Sequence, residues 1–397
     1  PSAVTMETEG LDVDPETGLA TEFDDIFCSE HVFDIQFHPS EPVIAASIIT
    51  GVVEFHQFDA QEGGNDLIAT LQNHEESCRT LRFFPSGDHL ISGSADRFCM
   101  VVDRAGAKVW KSKLHSAGVN SLLVLDEHTF AAGDDEGQIK LWDVRQPKSV
   151  FQINENDDFI SDMQIANDKK SLVVTSGDGT LAVYDLRAKG DLVAMSDPQE
   201  DEFLSCLLMH DGQKVVCGTQ LGVLGIFSWG DFGDVSDRLV GHPSSVDAMV
   251  KLNEMTAATG SSDGVIRIVN FFPNMIVGIL GEHSSEGEEG GVLVEGQDSF
   301  PIEKMALDAS GQLLASCSHD QLIKFWPTAP AYRMAALALG SADDEHGGLT
   351  GDGGLLPSEA AAAAAASSSS SSSAAAAAAM PRGGRQANSA AFRQQNF

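Results

Sequence analysis

Apolar and polar residues alternate in short runs along most of this chain. "VFDIQFHP", "CRTLRFFPSG" and "IEKMALDASG" are three such runs, each with Pro, Gly or Asp at or near its end. Alternation at period two puts successive side chains on opposite faces of an extended segment, so each run predicts a strand. A second apolar run follows, as in "HLISGS", "SLVVTSG" and "LLASCS". Then come a tight turn with Asp-Gly or an equivalent, a third alternating run and a polar link.

That unit recurs along the chain. "GDDEGQIKLWD" aligns with "ITGVVEFHQF", "SADRFCMVVD", "SGDGTLAVYD", "TQLGVLGIFS", "SSDGVIRIVN" and "SHDQLIKFWP". The aligned third-strand residues are His56, Val102, Trp142, Tyr184, Phe227, Val269 and Trp326, at steps of 46, 40, 42, 43, 42 and 57 residues. Four short strands per roughly 40–45 residues make one blade of a β-propeller. The prediction is an all-β, seven-bladed propeller over residues 19–330.

Three segments stand apart from the pattern. After Trp326 the chain reads "PTAPAYRMAALALG", where two prolines oppose a ladder strand, so the last blade lacks an outer strand of its own. A segment within Leu19–Cys28 is expected to supply it and remove an open edge. The long sixth step contains "GEHSSEGEEGGVLVEGQDS", residues 281–299, expected to be an exposed acidic loop inserted between blades six and seven. Residues 1–18 are acidic and expected to be disordered. So are residues 331–397, which hold a tract of seven Ala, seven Ser and six Ala.

Charge narrows the partners. There are 59 acidic and 24 basic residues, a net charge of −35. A broad phosphate-binding face is not expected, so direct contact with nucleic acid is disfavoured. No run approaches the ~18 apolar residues of a membrane helix, and the acidic start does not read as a signal peptide. The six cysteines form no CxxC pair and several sit in apolar runs, which predicts buried free thiols.

The acids and histidines form a pattern too. Glu136 aligns with Asp96, Asp178, Asp263 and Asp320, all in the turn before the third strand. His31, His74, His115, His242 and His283 lie near the starts of units. A buried His–Ser/Thr–Asp–Trp network is expected within blades, with Trp142 and Trp326 among its members. It repeats around the ring without a distinctive nucleophile, so its role is structural. The Asp134–Glu136 triplet has no histidine at ligand spacing, which argues against a metal. There is no Walker-type loop or HExxH motif. No catalytic residue, cofactor or metal site is assigned, and an enzyme is not expected.

These repeats resemble the WD-repeat family, with "IKLWD" the best match. Within it, "VNSLLVLDEHTFAAGDDEGQIKLWD", "SDRLVGHPSSVDAMV", "TGSSDGVIRIVNFFPN" and "SGQLLASCSHDQLIKFW" are similar to the WD repeat-containing protein 55 branch, over residues 27–330. The resemblance implies a non-catalytic scaffold for protein–protein interactions in nuclear or nucleolar ribosome biogenesis and rRNA processing. The chain is expected to act as a monomer within a larger complex, and a cytoplasmic location stays open. Two features depart from that branch. Its usual Lys/Arg-rich tail is replaced by an end reading "PRGGRQANSAAFRQQNF", and the 281–299 insertion is long.

Phe130–Arg145 supports a second reading. It resembles the box by which some WD-repeat proteins dock on the adaptor of cullin-based ubiquitin ligases. Trp142, Asp143 and Arg145 fit the box's ending, and Asp185 and Arg187 form a weaker copy in "LAVYDLR". A guanidinium at a blade's end, held near an acid, offers a forked donor to a partner. The alternative function is therefore a substrate receptor of a ubiquitin ligase.

Overall fold

Twenty-eight strands pair into seven four-stranded antiparallel sheets among the residues described. The structure is a computed structural model that describes residues 14, 17, 19–20, 22–284 and 299–344. Blade one shows the plan: Val32–Phe37, Val43–Ile48, Val52–Phe58 and Asn65–Gln72 pair in sequence order from the axis outward. Innermost strands of neighbouring blades pack side by side, including those of blades one and seven, so the ring is closed around a channel. The seven-bladed all-β propeller predicted from the repeats is what forms.

Burial follows position in the blade. Second strands such as Ser171–Ser176 and Leu313–Ser318 are buried throughout, because a neighbouring blade covers each of their faces. The outer strand Asn65–Gln72 is largely exposed. Apolar side chains meet between blades: Phe84, Ile91 and Val101 of blade two pack with Val119, Phe130 and Trp142 of blade three. The turns before the third strands need a left-handed residue. Gly137 fills it in blade three at φ +77°, pressed against the Asn156 carbonyl, where a Cβ would collide. Arg97 and Gln321 take the same conformation at φ +69° and +68° in blades two and seven.

Blade seven is completed by the start of the chain. Ile302–Leu307, Leu313–Ser318 and Leu322–Pro327 are joined by Ile26–Phe27, with Ile26 opposite Ile323 and Phe27 opposite Leu322. Cys28 N–H then donates to the Gln321 carbonyl at 2.9 Å.

Two expected boundaries move. Blade six's outer strand runs Asn274–Glu282, so the acidic insertion does not begin at 281. Gly281 lies flat against the Trp326 ring, and His283 is fully buried. Residues 285–298 lie outside the described residues, as do most of 1–18 and everything from 345 onward. The disorder expected from 331 does not hold for the first residues of that segment, because Ala329–Asp344 is an α-helix. The prolines that oppose a strand do not oppose a helix start: Pro330 sits in the first turn, where no N–H is required. Ala, Leu and Met then favour the helix. Ala331 and Met334 pack on blade six, and Tyr332 Oη donates to the Leu252 carbonyl at 3.1 Å.

Closure should be measurable with two adjacent residues. Ile26 is fully buried and Phe27 is 57% exposed. Ile26→Ala is expected to cost about 2–5 kcal/mol in urea unfolding, as for other buried aliphatic truncations. Phe27→Ala should stay within about 0.5 kcal/mol.

Candidate functional site

The expected blade network forms completely in blade seven. His283 Nδ1 meets Asp320 at 2.7 Å, and its Nε2 meets the Ser316 hydroxyl at 2.8 Å. Trp326 Nε1–H donates to the same hydroxyl at 2.8 Å. Blade two repeats it without the indole: His74 meets Asp96 at 3.0 Å and Ser92 at 2.8 Å, while Val102 stands where the Trp would be.

Blade three corrects the expected acid. Glu136 is exposed, and fully buried Asp134 faces His115 at 3.6 Å instead. Asp134 also accepts the Glu136 and Gln138 backbone N–H groups at 3.2 and 2.9 Å, ordering the turn. The acid has moved two residues upstream, to the end of the second strand. Ala132 replaces the bridging serine, so Trp142 Nε1–H donates directly to His115 Nε2 at 3.1 Å.

The remaining blades diverge further. In blade six His242 meets Thr259 at 2.8 Å, but Asp263 turns to Arg267, at 3.0 and 2.6 Å. In blade four Asp178 serves its own turn, accepting from Thr180 at 2.8 and 2.6 Å and from Asp157 N–H at 3.0 Å. Asn156 takes the histidine's place there and accepts the Tyr184 hydroxyl at 2.7 Å. His31 joins no such network and stacks on His319, ring centroids 5.0 Å apart. Blade one replaces the histidine with Cys28, beside Glu54 and His56.

Those last three groups are buried, with ligand atoms within 4.8 Å of one another. Glu54 is already engaged, by His56 at 3.2 Å and by Ser29 N–H at 3.3 Å. Three donors fall short of the four of a closed zinc site. They read as one more hydrogen-bonded blade network. The six cysteines are free and buried, and burial pushes the thiols of Cys28, Cys78, Cys99, Cys206, Cys217 and Cys317 up.

The proposed docking residues separate by burial. Trp142 is 1% exposed, packed against Trp110 and Phe130, so it cannot touch a partner. Arg145 is exposed, its side chain 62% accessible against 7% for Asp143. Its guanidinium donates to both Asp143 oxygens, at 2.8 and 2.7 Å. That pairing holds the Asp143 carboxyl well below the usual carboxylate range. In the weaker copy only the Arg187 backbone N–H reaches Asp185, at 2.8 Å; no guanidinium pair forms there among the described residues.

The opposite face carries a site that the repeat reading missed. In all seven blades the innermost strand has one extra residue near its start, where its register against the second strand shifts. Such a bulge re-aims the side chain of the residue it inserts. The bulged residues are Phe33, Arg79 and Asn120 in blades one to three, then Ser161, Leu204, Asp247 and Glu303. All seven line one cavity of about 410 Å³ at the mouth of the channel. Ile49 and Phe159, from neighbouring turns and links, add to its rim.

A sequence profile of WDR55 matches residues 23–329. The chain belongs to the WDR55 family. It is similar to WD repeat-containing protein 55 of Arabidopsis thaliana, 39% identical over 75% of this chain and 80% of that protein. The Homo sapiens protein of that name is 36% identical, over 77% of this chain and 76% of its own. A Drosophila willistoni homolog is 35% identical, over 76% of this chain and 57% of its own. The match to the WDR55 family spans the propeller from Phe23 to Ala329, so the bulged strands and the Arg145 rim both lie within it. The bulge has a faint sequence signal: it is the second residue of each unit's first run.

Two predictions follow from this geometry. Trp142→Ala is expected to cost about 3–5 kcal/mol, as for other buried aromatics. Asp134→Ala should cost about 1–3 kcal/mol by removing the acceptor that orders the turn and faces buried His115, and Glu136→Ala within about 0.5 kcal/mol, all read by denaturant unfolding.

The second prediction concerns pH. Burial, with Arg267 nearby, lowers the His242 pKa from 6.5 to about 4. Unfolded histidine takes its proton near pH 6.5. Stabilisation from neutral His242 is therefore whole above pH 6.5 and drains as pH falls toward 4. Unfolding free energy should decline over that window, and decline less in His242→Gln.

Proposed function

We propose that the chain is a non-catalytic scaffold that binds other proteins, acting in nuclear or nucleolar ribosome assembly and rRNA processing. Membership of the WDR55 family is the observation that carries this reading. The ring supports it physically, since one rigid closed body presents two chemically different faces. A net charge of −35 favours protein over RNA as the direct contact. The chain is proposed to work as one copy inside a larger assembly. Affinity purification of the tagged full chain from nuclear extract should enrich pre-ribosomal proteins over a tag-only control. Equal recovery from both would overturn the reading.

One observation favours a second reading, a substrate receptor docked on a cullin adaptor. The Arg145 guanidinium is held by Asp143 in one orientation yet stays open to a partner. Arg at an interface is often an energetic anchor. Arg145→Ala is expected to leave the melting curve unchanged and to weaken adaptor capture tenfold or more. Arg187→Ala should matter less. Equal capture by wild type and Arg145→Ala, or none by either, would remove this reading and leave the scaffold.

A further inference from the structure

The chemistry of the channel mouth is lopsided. Blades six and seven contribute Asp247 and Glu303, and neighbouring blade one contributes Phe33. Elsewhere the lining is polar or apolar, except for two cations. Arg79 is engaged by both oxygens of Asp135, at 2.8 and 2.6 Å. Lys304 also lines the cavity, and His319, whose pKa Glu303 raises, pairs with that carboxylate.

Both carboxylates keep an oxygen for a ligand. Asp247 Oδ2 accepts the hydroxyls of Ser245 and Ser262, each at 2.8 Å, while its Oδ1 has no donor among the described residues. Glu303 Oε1 meets His319 Nε2 at 2.5 Å, which leaves Oε2. Burial raises the Asp247 carboxyl pKa and the charge of Glu303 adds to the rise, against the Ser245 and Ser262 hydroxyls and Lys304, which lower it. A carboxylate in that state gains from an arriving cation. The half-buried Phe33 ring lines the same cavity and supplies an aromatic face there. The cavity, at about 410 Å³, is of a size that holds ligands, roughly 300–1,000 Å³.

We propose that this mouth receives an arginine side chain of a partner protein, its guanidinium paired with Asp247 and Glu303 and its stem against Phe33. Arginine fits better than lysine because its flat fork can serve two carboxylates, stacks on aromatic faces and sheds water more readily. The proposal deepens the scaffold reading and rests on it for the partner being a protein. The seven bulges are what bring these side chains to one point, since their strands belong to different blades.

The test uses the full chain and the probe peptide acetyl-Gly-Arg-Gly-amide, observed by ligand-detected saturation-transfer NMR and titrated for affinity. The same peptide with citrulline, lysine or glutamate in place of arginine serves as comparison. The arginine probe should bind, the lysine probe more weakly, and the neutral citrulline and acidic probes not detectably. Asp247→Asn should weaken the arginine probe at least tenfold, and Phe33→Leu several-fold, with melting curves retained. Because Asp247 also holds two serines, Glu303→Gln provides an independent variant with the same expected direction. Failure of the arginine probe to bind would overturn the proposal. So would equal binding of arginine and citrulline, preference for the acidic probe, or wild-type affinity in a folded Asp247→Asn or Glu303→Gln variant. The scaffold reading stands or falls separately: pre-ribosomal capture that persists when the arginine probe fails would leave it intact without this site.

Discussion

The pairing of Ile26–Phe27 with Leu322–Pro327 is the contact on which the rest of the structure depends. A blade exposes both faces of its buried second strand unless a neighbour covers each. Six blades and a three-stranded remnant would leave an open edge on Leu322–Pro327, a strand whose first four residues are buried. The two ends of the chain supply different strands of one sheet, so the last blade forms only when both are in place. This is a contact of high sequence separation, and its loop-closure entropy is offset by the completed ring of apolar interfaces.

Inside that ring, the polar networks show how one structural task is met by changing groups. Blade seven uses the full set of His283, Asp320, Ser316 and Trp326. Blade three has alanine at the serine position and joins indole directly to imidazole. Blade four uses Asn156 and Tyr184, and blade one uses Cys28, Glu54 and His56. What is preserved is that polar groups of neighbouring strands meet inside the blade, at separations that vary from 2.7 Å between Tyr184 and Asn156 to 3.6 Å between His115 and Asp134. Chemistry that resembles a catalytic triad is spent on holding strands together.

The bulges do a separate job at the channel end of the same innermost strands. Each inserted residue leaves the ladder, so it is released from the packing demands that govern its neighbours. That freedom lets the seven positions differ as widely as Phe33, Arg79, Leu204 and Glu303 do, while the strands around them stay alike. On the other face Arg145 is likewise free of the core, one turn past the buried Trp142. Stability and recognition are carried by different residues only a few positions apart.

Local pattern in the sequence determined the strands, their grouping into seven blades and the need for an outside strand in the last one. Those features depend on side-chain alternation and on turn residues, which neighbours in the chain dictate. Alignment of Glu136 with Asp320 pointed to the wrong acid, because which carboxylate reaches a histidine depends on where the strand end lies, and Asp134 sits there. Likewise the acidic composition placed the start of the insertion at 281, although the strand runs on to Glu282 and His283 belongs to blade seven's network, as its place near the start of a unit suggested. The prolines after Trp326 excluded a strand but could not reveal the helix Ala329–Asp344, whose apolar residues settle on blade six. Only the tertiary structure could gather Phe33, Asp247 and Glu303 at one mouth, since closure of the ring brings together strands that lie more than 200 residues apart in the chain.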